Sequence, residues 1–249
     1  MKFVGIIPAR YASTRFPCKP LADLLGKPLI QRVYERVSNL LDRVVVATDD
    51  ERIFNAVREK GGEAIMTSLN HTSGTDRCME AYSKLKEEYD VIINIQGDEP
   101  FISPSQIELL KAAFLNPATQ IATLVKPFSP DDDFENLFNP NTIKVLLNSK
   151  NQAIYFSRSV IPYIRGKHHS EWLFTHVYYK HIGVYACKPQ VLSEITSLPP
   201  SALEKAESLE QLRWIENGYT IQAMITNEET IGIDTPEDLE KAAKFLEHR

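Results

Sequence analysis

The chain has 249 residues, a formal net charge of -5, three cysteines and 43% hydrophobic residues. That length allows one large domain or two small ones with a sizeable core, and the acidic balance excludes a nucleic-acid footprint, which needs a basic face. Cys18, Cys78 and Cys187 are far apart and form no CxxC, and no stretch of ~20 apolar residues or basic-then-apolar leader appears, so a soluble, cytosolic protein without disulfides, zinc or a membrane partner is expected.

The apolar run from Phe3 to Ile7, ended by Pro8, predicts a buried strand that empties into a loop. That loop carries Arg10, Ser13, Thr14, Arg15 and Lys19, three fixed cations and two hydroxyls. In an open α/β sheet ligands bind beyond the carboxyl ends of the strands, and such a cluster there suits a polyphosphate; a basic surface turn is the plainer alternative. Residues 28–37 have helical spacing behind Pro28, and Arg43 to Thr48 is a continuous β-branched run, as in a strand buried on both faces. Asp49 and Asp50 end that strand and cap a helix from Glu51 to Lys60, which Gly61-Gly62 stops. Glu63 to Thr67 reads as a short strand, Ser68 to Thr75 as a loop, Thr75 to Tyr89 as a helix and Asp90 to Ile95 as another buried strand. A helix from Ser103-Pro104 to Phe114 and a strand from Gln120 to Lys126 follow. Repeated βα units with short links predict a doubly wound, mostly parallel, Rossmann-like α/β sheet.

The second half is less regular. Ile143 to Leu147 and Ala153 to Phe156 read as strands joined by a turn at Asn148 to Asn151. Arg165 to Thr175 looks like a polar, mobile excursion. Tyr178 to Ala186 reads as a strand, Leu203 to Asn217 as one helix stopped by Gly218, and Tyr219 to Ile225 as a strand. Thr235 and Asp238 fit a capping box with Pro236 at the first position of the last helix. No repeat or linker divides the chain, so one domain over residues 1–249 is expected, with an inserted mixed β/α portion.

Four groups carry candidate chemistry. Asp98, in Gln96-Gly97-Asp98-Glu99-Pro100, follows a buried strand and is either a turn residue, with Gly97 the turn former, or a Mg²⁺ ligand, since hard cations take carboxylates together with substrate phosphates. Asp234 follows a strand-like stretch if that strand runs through Ile231 to Ile233; it also stands at a helix start, where Asp is common. Ser73-Gly74-Thr75-Asp76-Arg77 offers helix N-terminal N–H groups and a cation, or an ordinary cap. His181 on a strand and Arg158 after Phe156-Ser157 are either structural or ligand-facing, and Glu204, Glu207 and Glu210 recur every third residue as on a solvated helix face. His71, His168 and His169 lack metal-ligand spacing. The chain has no GxGxxG, Walker loop or G-x-S-x-G elbow.

The motifs from Ile6-Ile7-Pro8-Ala9-Arg10-Tyr11-Ala12-Ser13-Thr14-Arg15-Phe16-Pro17 through Lys19-Pro20-Leu21, Val46-Ala47-Thr48-Asp49, Ser73 to Arg77, Asn94 to Pro100, Tyr155 to Arg158, His181 to Tyr185, Leu209 to Arg213 and Gly232 to Asp238 resemble, in order along the whole chain, those of the 3-deoxy-manno-octulosonate (Kdo) cytidylyltransferases, or CMP-Kdo synthetases, among the sugar nucleotidyltransferases. The resemblance implies CTP and Kdo as substrates, CMP-Kdo and pyrophosphate as products, Mg²⁺ as cofactor, and a role in lipopolysaccharide synthesis. It implies a homodimer, its interface roughly within residues 127–200. It puts Ala9, Arg10, Ser13, Arg15, Lys19, Ser73, Gly74, Thr75, Arg77 and Gln96 around CTP, the metal on Asp98 and Asp234, and the sugar acid at Gln96, Arg158, His181, Tyr185, Glu210 and Gln211. Catalysis falls to Arg10, Lys19, Asp98 and Asp234. One position departs from the pattern: Cys18 stands where the family usually has glycine, so a positive φ there would be strained. A cytidylyltransferase for another acidic sugar (8-amino-Kdo or a sialic acid) and a nucleotide-binding regulator without turnover are the alternatives. Lys19, Asp98 and Asp234 speak against the regulator.

Overall fold

The computed structural model describes residues 1–12, 16–130, 134–229 and 232–247. In chain order it holds β1 (Phe3–Ala9), α1 (Leu29–Val37), β2 (Arg43–Thr48), α2 (Glu51–Glu59), β3 (Ala64–Met66), α3 (Gly74–Ser83), β4 (Val91–Asn94) and α4 (Pro104–Ala113). Then come β5 (Ile121–Pro127), α5 (Phe134–Phe138), β6 (Lys144–Leu147), β7 (Ala153–Ser157), α6 (Trp172–Thr175), β8 (Tyr179–Cys187), α7 (Pro189–Thr196), α8 (Ala202–Glu207), α9 (Gln211–Glu216), β9 (Ile221–Ile225) and α10 (Pro236–Glu247). They form two compact units, one of Met1–Ile107, Ala186–Thr196 and Thr230–Arg249, the other of Glu108–Tyr185 and Ser197–Glu229.

In the first unit four parallel strands lie in the order β3-β2-β1-β4. Val4, Ile6, Ile7, Val45, Val46 and Ile93 are wholly buried. A parallel strand covered on both faces needs apolar side chains on both, which explains the unbroken runs. β1 continues through Pro8 to Ala9, with Pro8 level with Ala47, so the strand carries the chain directly to Arg10. Asp50 caps α2 by accepting from Arg52 N at 2.9 Å, and Gly61, at φ 79, ends it. α3 is shorter than its pattern predicts and stops at Ser83; the chain then turns so that Tyr89 is buried and its N–H meets the Tyr82 hydroxyl.

The capping box at α10 is present: Asp238 N donates to Thr235 Oγ1 at 3.2 Å and Thr235 N to Asp238 Oδ2 at 3.0 Å. The strand expected to lead into it is not. Ile231 lies outside the described residues, and Gly232 and Ile233 are irregular. Ile233 is instead pinned twice. Its N–H donates to Asp98 O at 2.9 Å, and its side chain is buried with Leu24, Leu29, Phe101 and Ala242. Full burial of such a side chain contributes about 1.5–3 kcal/mol, enough to fix the residue beside it.

The second unit pairs β5 with β9 in parallel, Ile121 opposite Ile221, and sets β8 beside β5. The expected hairpin is β6 and β7, antiparallel, with Asn151 at φ 55 in its turn. Two expectations fail here. Residues 165–175 are no unstructured excursion: His168 caps a 3₁₀ turn at His169–Glu171 that runs into α6, and Trp172 is buried with Phe128, Leu137 and Tyr178. The polar flanks hid one anchoring indole. The single helix over Leu203–Asn217 is broken into α8 and α9 at Ser208, φ 53. Arg158 makes the break possible, since its Nε donates to Glu207 O at 2.6 Å and its Nη2 to Ser208 O at 3.4 Å, satisfying carbonyls that a helix end leaves open. α5 and α7 have no counterpart in the sequence reading.

Candidate active site

A cavity of about 280 Å³ in the first unit is lined by groups from five separate stretches. β1 delivers Ala9 and Arg10, a short 3₁₀ turn at Lys19–Leu21 delivers Lys19, and the start of α3 delivers Ser73, Gly74 and Arg77. The loop after β4 delivers Gln96, Gly97 and Asp98, and the residues before α10 deliver Asp234. Close approach depends on two glycines. A Cβ on Gly97 would stand 3.0 Å from Pro8 O, and one on Gly74 would stand 3.3 Å from Pro8 Cγ. Gly97 is therefore needed for contact with β1, not for an unusual turn conformation. Thr75 is buried in the first turn of α3 and does not line the cavity. Ser13 and Arg15 lie outside the described residues.

Lys19 Nζ sits 2.5 Å from Asp98 Oδ2 and 3.2 Å from Asp234 Oδ1. The two carboxylates thus converge on one point, which sequence spacing could not show; the Ile233–Asp98 main-chain bond is what brings them together. Glu99 is half-buried, with its Oε2 buried and unpartnered, and desolvation first, then the charges of Asp98 and Asp234, push its carboxyl up to about 8. Arg77 is only 3% exposed; its Nη2 pairs with Asp49 at 2.6 Å and its Nη1 donates to Thr67 at 2.6 Å, so its charge is fixed at the cavity wall by a buried partner.

Cys18 has φ 61 and ψ 16, in the left-handed region. The position does require positive φ. Its carbonyl accepts from Leu21 N at 2.8 Å, which builds the turn that carries Lys19. The neighbouring Cys18 side chain raises the pKa of the Tyr11 hydroxyl. A side chain in this region costs about 1–2 kcal/mol, and glycine's lost backbone freedom returns roughly 0.5–1 of that. Cys18→Gly is expected to stay within about 1 kcal/mol of the parent, whereas Cys18→Val, branched at Cβ, loses about 2 kcal/mol more, several degrees in Tm. Thermal melts of the two variants decide this; equal melting would mean that the loop shifts to an ordinary φ.

The family model described as "Cytidylyltransferase" matches residues 4–245. The 3-deoxy-manno-octulosonate cytidylyltransferase of Parabacteroides distasonis is 69% identical over the full length of both chains, and that of Bacteroides thetaiotaomicron is 61% identical over the full length of both. The chain belongs to the 3-deoxy-manno-octulosonate cytidylyltransferase family. A CMP:2-keto-3-deoxy-manno-octonic acid synthetase solved in complex with CTP superposes with a TM-score of 0.91 at 43% identity, covering 100% of this chain and 99% of that one. A cytidylyltransferase from Leptospira borgpetersenii, 17% identical with a TM-score of 0.64, shares the fold. The α/β class and the family expected from the motifs both hold.

In this cytidylyltransferase the remaining sugar-side candidates belong to the second unit. His181 is half-buried, its ring hydrogen-bonded to Thr123 Oγ1 at 2.9 Å, and desolvation takes its pKa down to about 3, so the ring is neutral. Its ring lies 5.2 Å from that of Tyr185, which packs edge-on against Trp214 at 4.9 Å. The Tyr185 hydroxyl is buried and unpartnered, and burial, then Glu210, raises its pKa well above the ordinary value. Gln211 is buried at the start of α9. Arg158 spends an N–H from each of Nε, Nη1 and Nη2 on main-chain carbonyls. The three glutamates read as a solvated face are engaged: Glu204 forms a two-point pair with Arg213 at 2.9 and 2.7 Å, Glu207 accepts from Ser157 Oγ and Arg158 N, and Glu210 Oε1 lies 3.5 Å from Arg213 Nη2.

Proposed function

We propose that the chain joins CTP to 3-deoxy-D-manno-octulosonate, forming CMP-Kdo and releasing pyrophosphate. The observation that carries this reading is the convergence of Lys19 on Asp98 and Asp234 in a cavity that also presents Arg10 and the N-terminus of α3. The anomeric hydroxyl oxygen of the sugar attacks the α-phosphorus. The bond from that phosphorus to the bridging oxygen breaks, pyrophosphate leaves in line, and the hydroxyl proton goes to solvent. Arg10, Ser13, Arg15 and Lys19 hold the triphosphate, and fixed cations in a partly desolvated site stabilise the charge that moves onto the leaving group. Ser73, Gly74, Thr75, Arg77 and Gln96 surround the nucleotide. Arg158, His181, Tyr185, Glu210 and Gln211 take the sugar acid; the neutral His181 and the unpartnered Tyr185 hydroxyl suit sugar hydroxyls.

Asp98 and Asp234 fit Mg²⁺. Among the described residues no three His, Cys, Asp or Glu side chains make a closed metal cage, but Mg²⁺ is commonly held by one or two carboxylates with substrate phosphates, and the unpartnered Glu99 oxygen behind the pair marks an acid-rich site. When bound, Mg²⁺ offsets the repulsion between the two anionic substrates and makes the attacking hydroxyl more acidic. A homodimer is proposed through residues 127–200, where Ile154, Tyr163, Phe174 and Val177 are more than half exposed. A cytoplasmic place supplying activated sugar for lipopolysaccharide is proposed with it; among the described residues no helix is long and apolar enough to cross a membrane.

The test is pyrophosphate release with CTP, Kdo and Mg²⁺, run beside UTP, ATP, 8-amino-Kdo and sialic acid. Release is expected with CTP and Kdo well above every other pair. Release with another sugar and none with Kdo would overturn the substrate.

A further inference from the structure

His71 has no role so far, yet it lines the same cavity as Ser73, Gly74 and Arg77. Its Nε2 contacts the carboxylate of Glu80, on the second turn of α3. Glu80 is itself tightly held: it accepts from Ser68 N at 2.8 Å and from Lys84 Nζ at 2.6 Å. Burial works to raise its pKa, but the bonds from Lys84, Ser68 and His71 prevail and bring it down to about 2. Glu80 is therefore ionised and can only accept. The ring nitrogen facing it must carry the hydrogen, which leaves Nδ1 as the ring's other hydrogen-bonding atom. Among the described residues, Nδ1 has no hydrogen-bond partner. The Glu80 carboxylate thus holds the ring of a cavity-lining histidine by one nitrogen and leaves the other unused.

We propose that His71 is a nucleoside-recognition residue, its Nδ1 accepting a hydrogen bond from an N–H or O–H of the bound cytidine, either the exocyclic amine of the base or the ribose 2′-hydroxyl. The inference rests on the reading of this cavity as the CTP site. It adds a selective contact to a wall that already presents Ser73, Gly74, Gln96 and the ion-paired Arg77.

The test is equilibrium binding of CTP, UTP and 2′-deoxy-CTP, without sugar, to the wild-type protein, His71→Ala and His71→Asn, with a melt of each variant in the absence of nucleotide. His71→Ala is expected to bind CTP about tenfold more weakly, the loss of one hydrogen bond in a desolvated site. The loss is selective: if the donor is the base amine, UTP affinity is unchanged or improved, because uracil carries a carbonyl there; if it is the ribose, 2′-deoxy-CTP affinity is unchanged. His71→Asn, whose amide oxygen can stand near the Nδ1 position, recovers most of the loss. Unchanged CTP affinity in His71→Ala overturns the inference. So does an equal loss for all three nucleotides, which would mark a phosphate contact or general loop damage. Failure of the wild-type protein to bind CTP strikes the underlying reading instead.

Discussion

Lys19→Met is expected to slow pyrophosphate release by about 10²–10³-fold at saturating substrates, the effect of removing one preorganised charge from a developing anion. The same variant should respond to Mg²⁺ at lower concentration than the parent. The reason is geometric. The ammonium lies between the two carboxylates, 2.5 and 3.2 Å away, with only 15% of its side chain exposed. A divalent cation entering that site must compete with it. Methionine keeps the length and the apolar stem, so the turn at Lys19–Leu21 keeps its packing while the competing charge disappears. Rate and metal response therefore move in opposite directions. A merely structural lysine would lower both, through a lower Tm. The measurements are kcat and the Mg²⁺ concentration at half-maximal thermal shift; a near-parental kcat would remove Lys19 from the reacting groups.

What the sequence revealed differs sharply between the two units. β2 reads to the residue, and α1 and α2 nearly so, because buried parallel strands are continuous β-branched runs and the intervening helices carry their own caps and a glycine stop. The second unit is held by long-range contacts that leave no local mark. The break at Ser208 contains no glycine and is made by Arg158, fifty residues upstream. Trp172 anchors a segment whose neighbours are polar.

The site is legible in parts. Arg10, Lys19, Ser73, Gly74, Arg77, Gln96, Asp98 and Asp234 each carry a recognisable motif and do line one cavity. Their convergence is not legible, because a main-chain bond between Ile233 and Asp98 makes it, and backbone bonds do not depend on residue type. The pairing of His71 with Glu80 was missed for a related reason. A search for metal ligands asks for several donors at fixed spacing, whereas this pair is one histidine and one carboxylate nine residues apart, joined because the chain enters α3 between them. Cys18 was legible as an anomaly, and its left-handed backbone shows that the geometry of the loop outranks the preference of the residue placed there.

Asp98→Asn is expected to fold at least as stably as the parent without metal, to lose its Mg²⁺-dependent rise in Tm, and to turn over about 10³-fold more slowly, several kcal/mol of charge stabilisation at the transition state. Asparagine keeps the shape, and the bond from Ile233 N to the main-chain carbonyl of residue 98 does not involve the side chain, so Asp234 stays in position. The amide oxygen still accepts from Lys19. What goes is one negative charge from a group in which Asp98 and Asp234 already crowd the half-buried Glu99. Relief of that repulsion favours the metal-free fold, while the remaining single carboxylate is too weak a ligand set to concentrate a strongly hydrated cation. Asp234→Asn should lose activity in the same direction, and excess Mg²⁺ should recover it better, because Asp234 is the more exposed of the two, 47% against 29%, and bound phosphates and water can replace its oxygen more readily. Metal-dependent thermal shift and kcat, measured across a Mg²⁺ titration for both variants, separate this arrangement from the plainer one in which Asp98 only shapes the turn after β4. In that case Asp98→Asn would keep both its metal response and its rate.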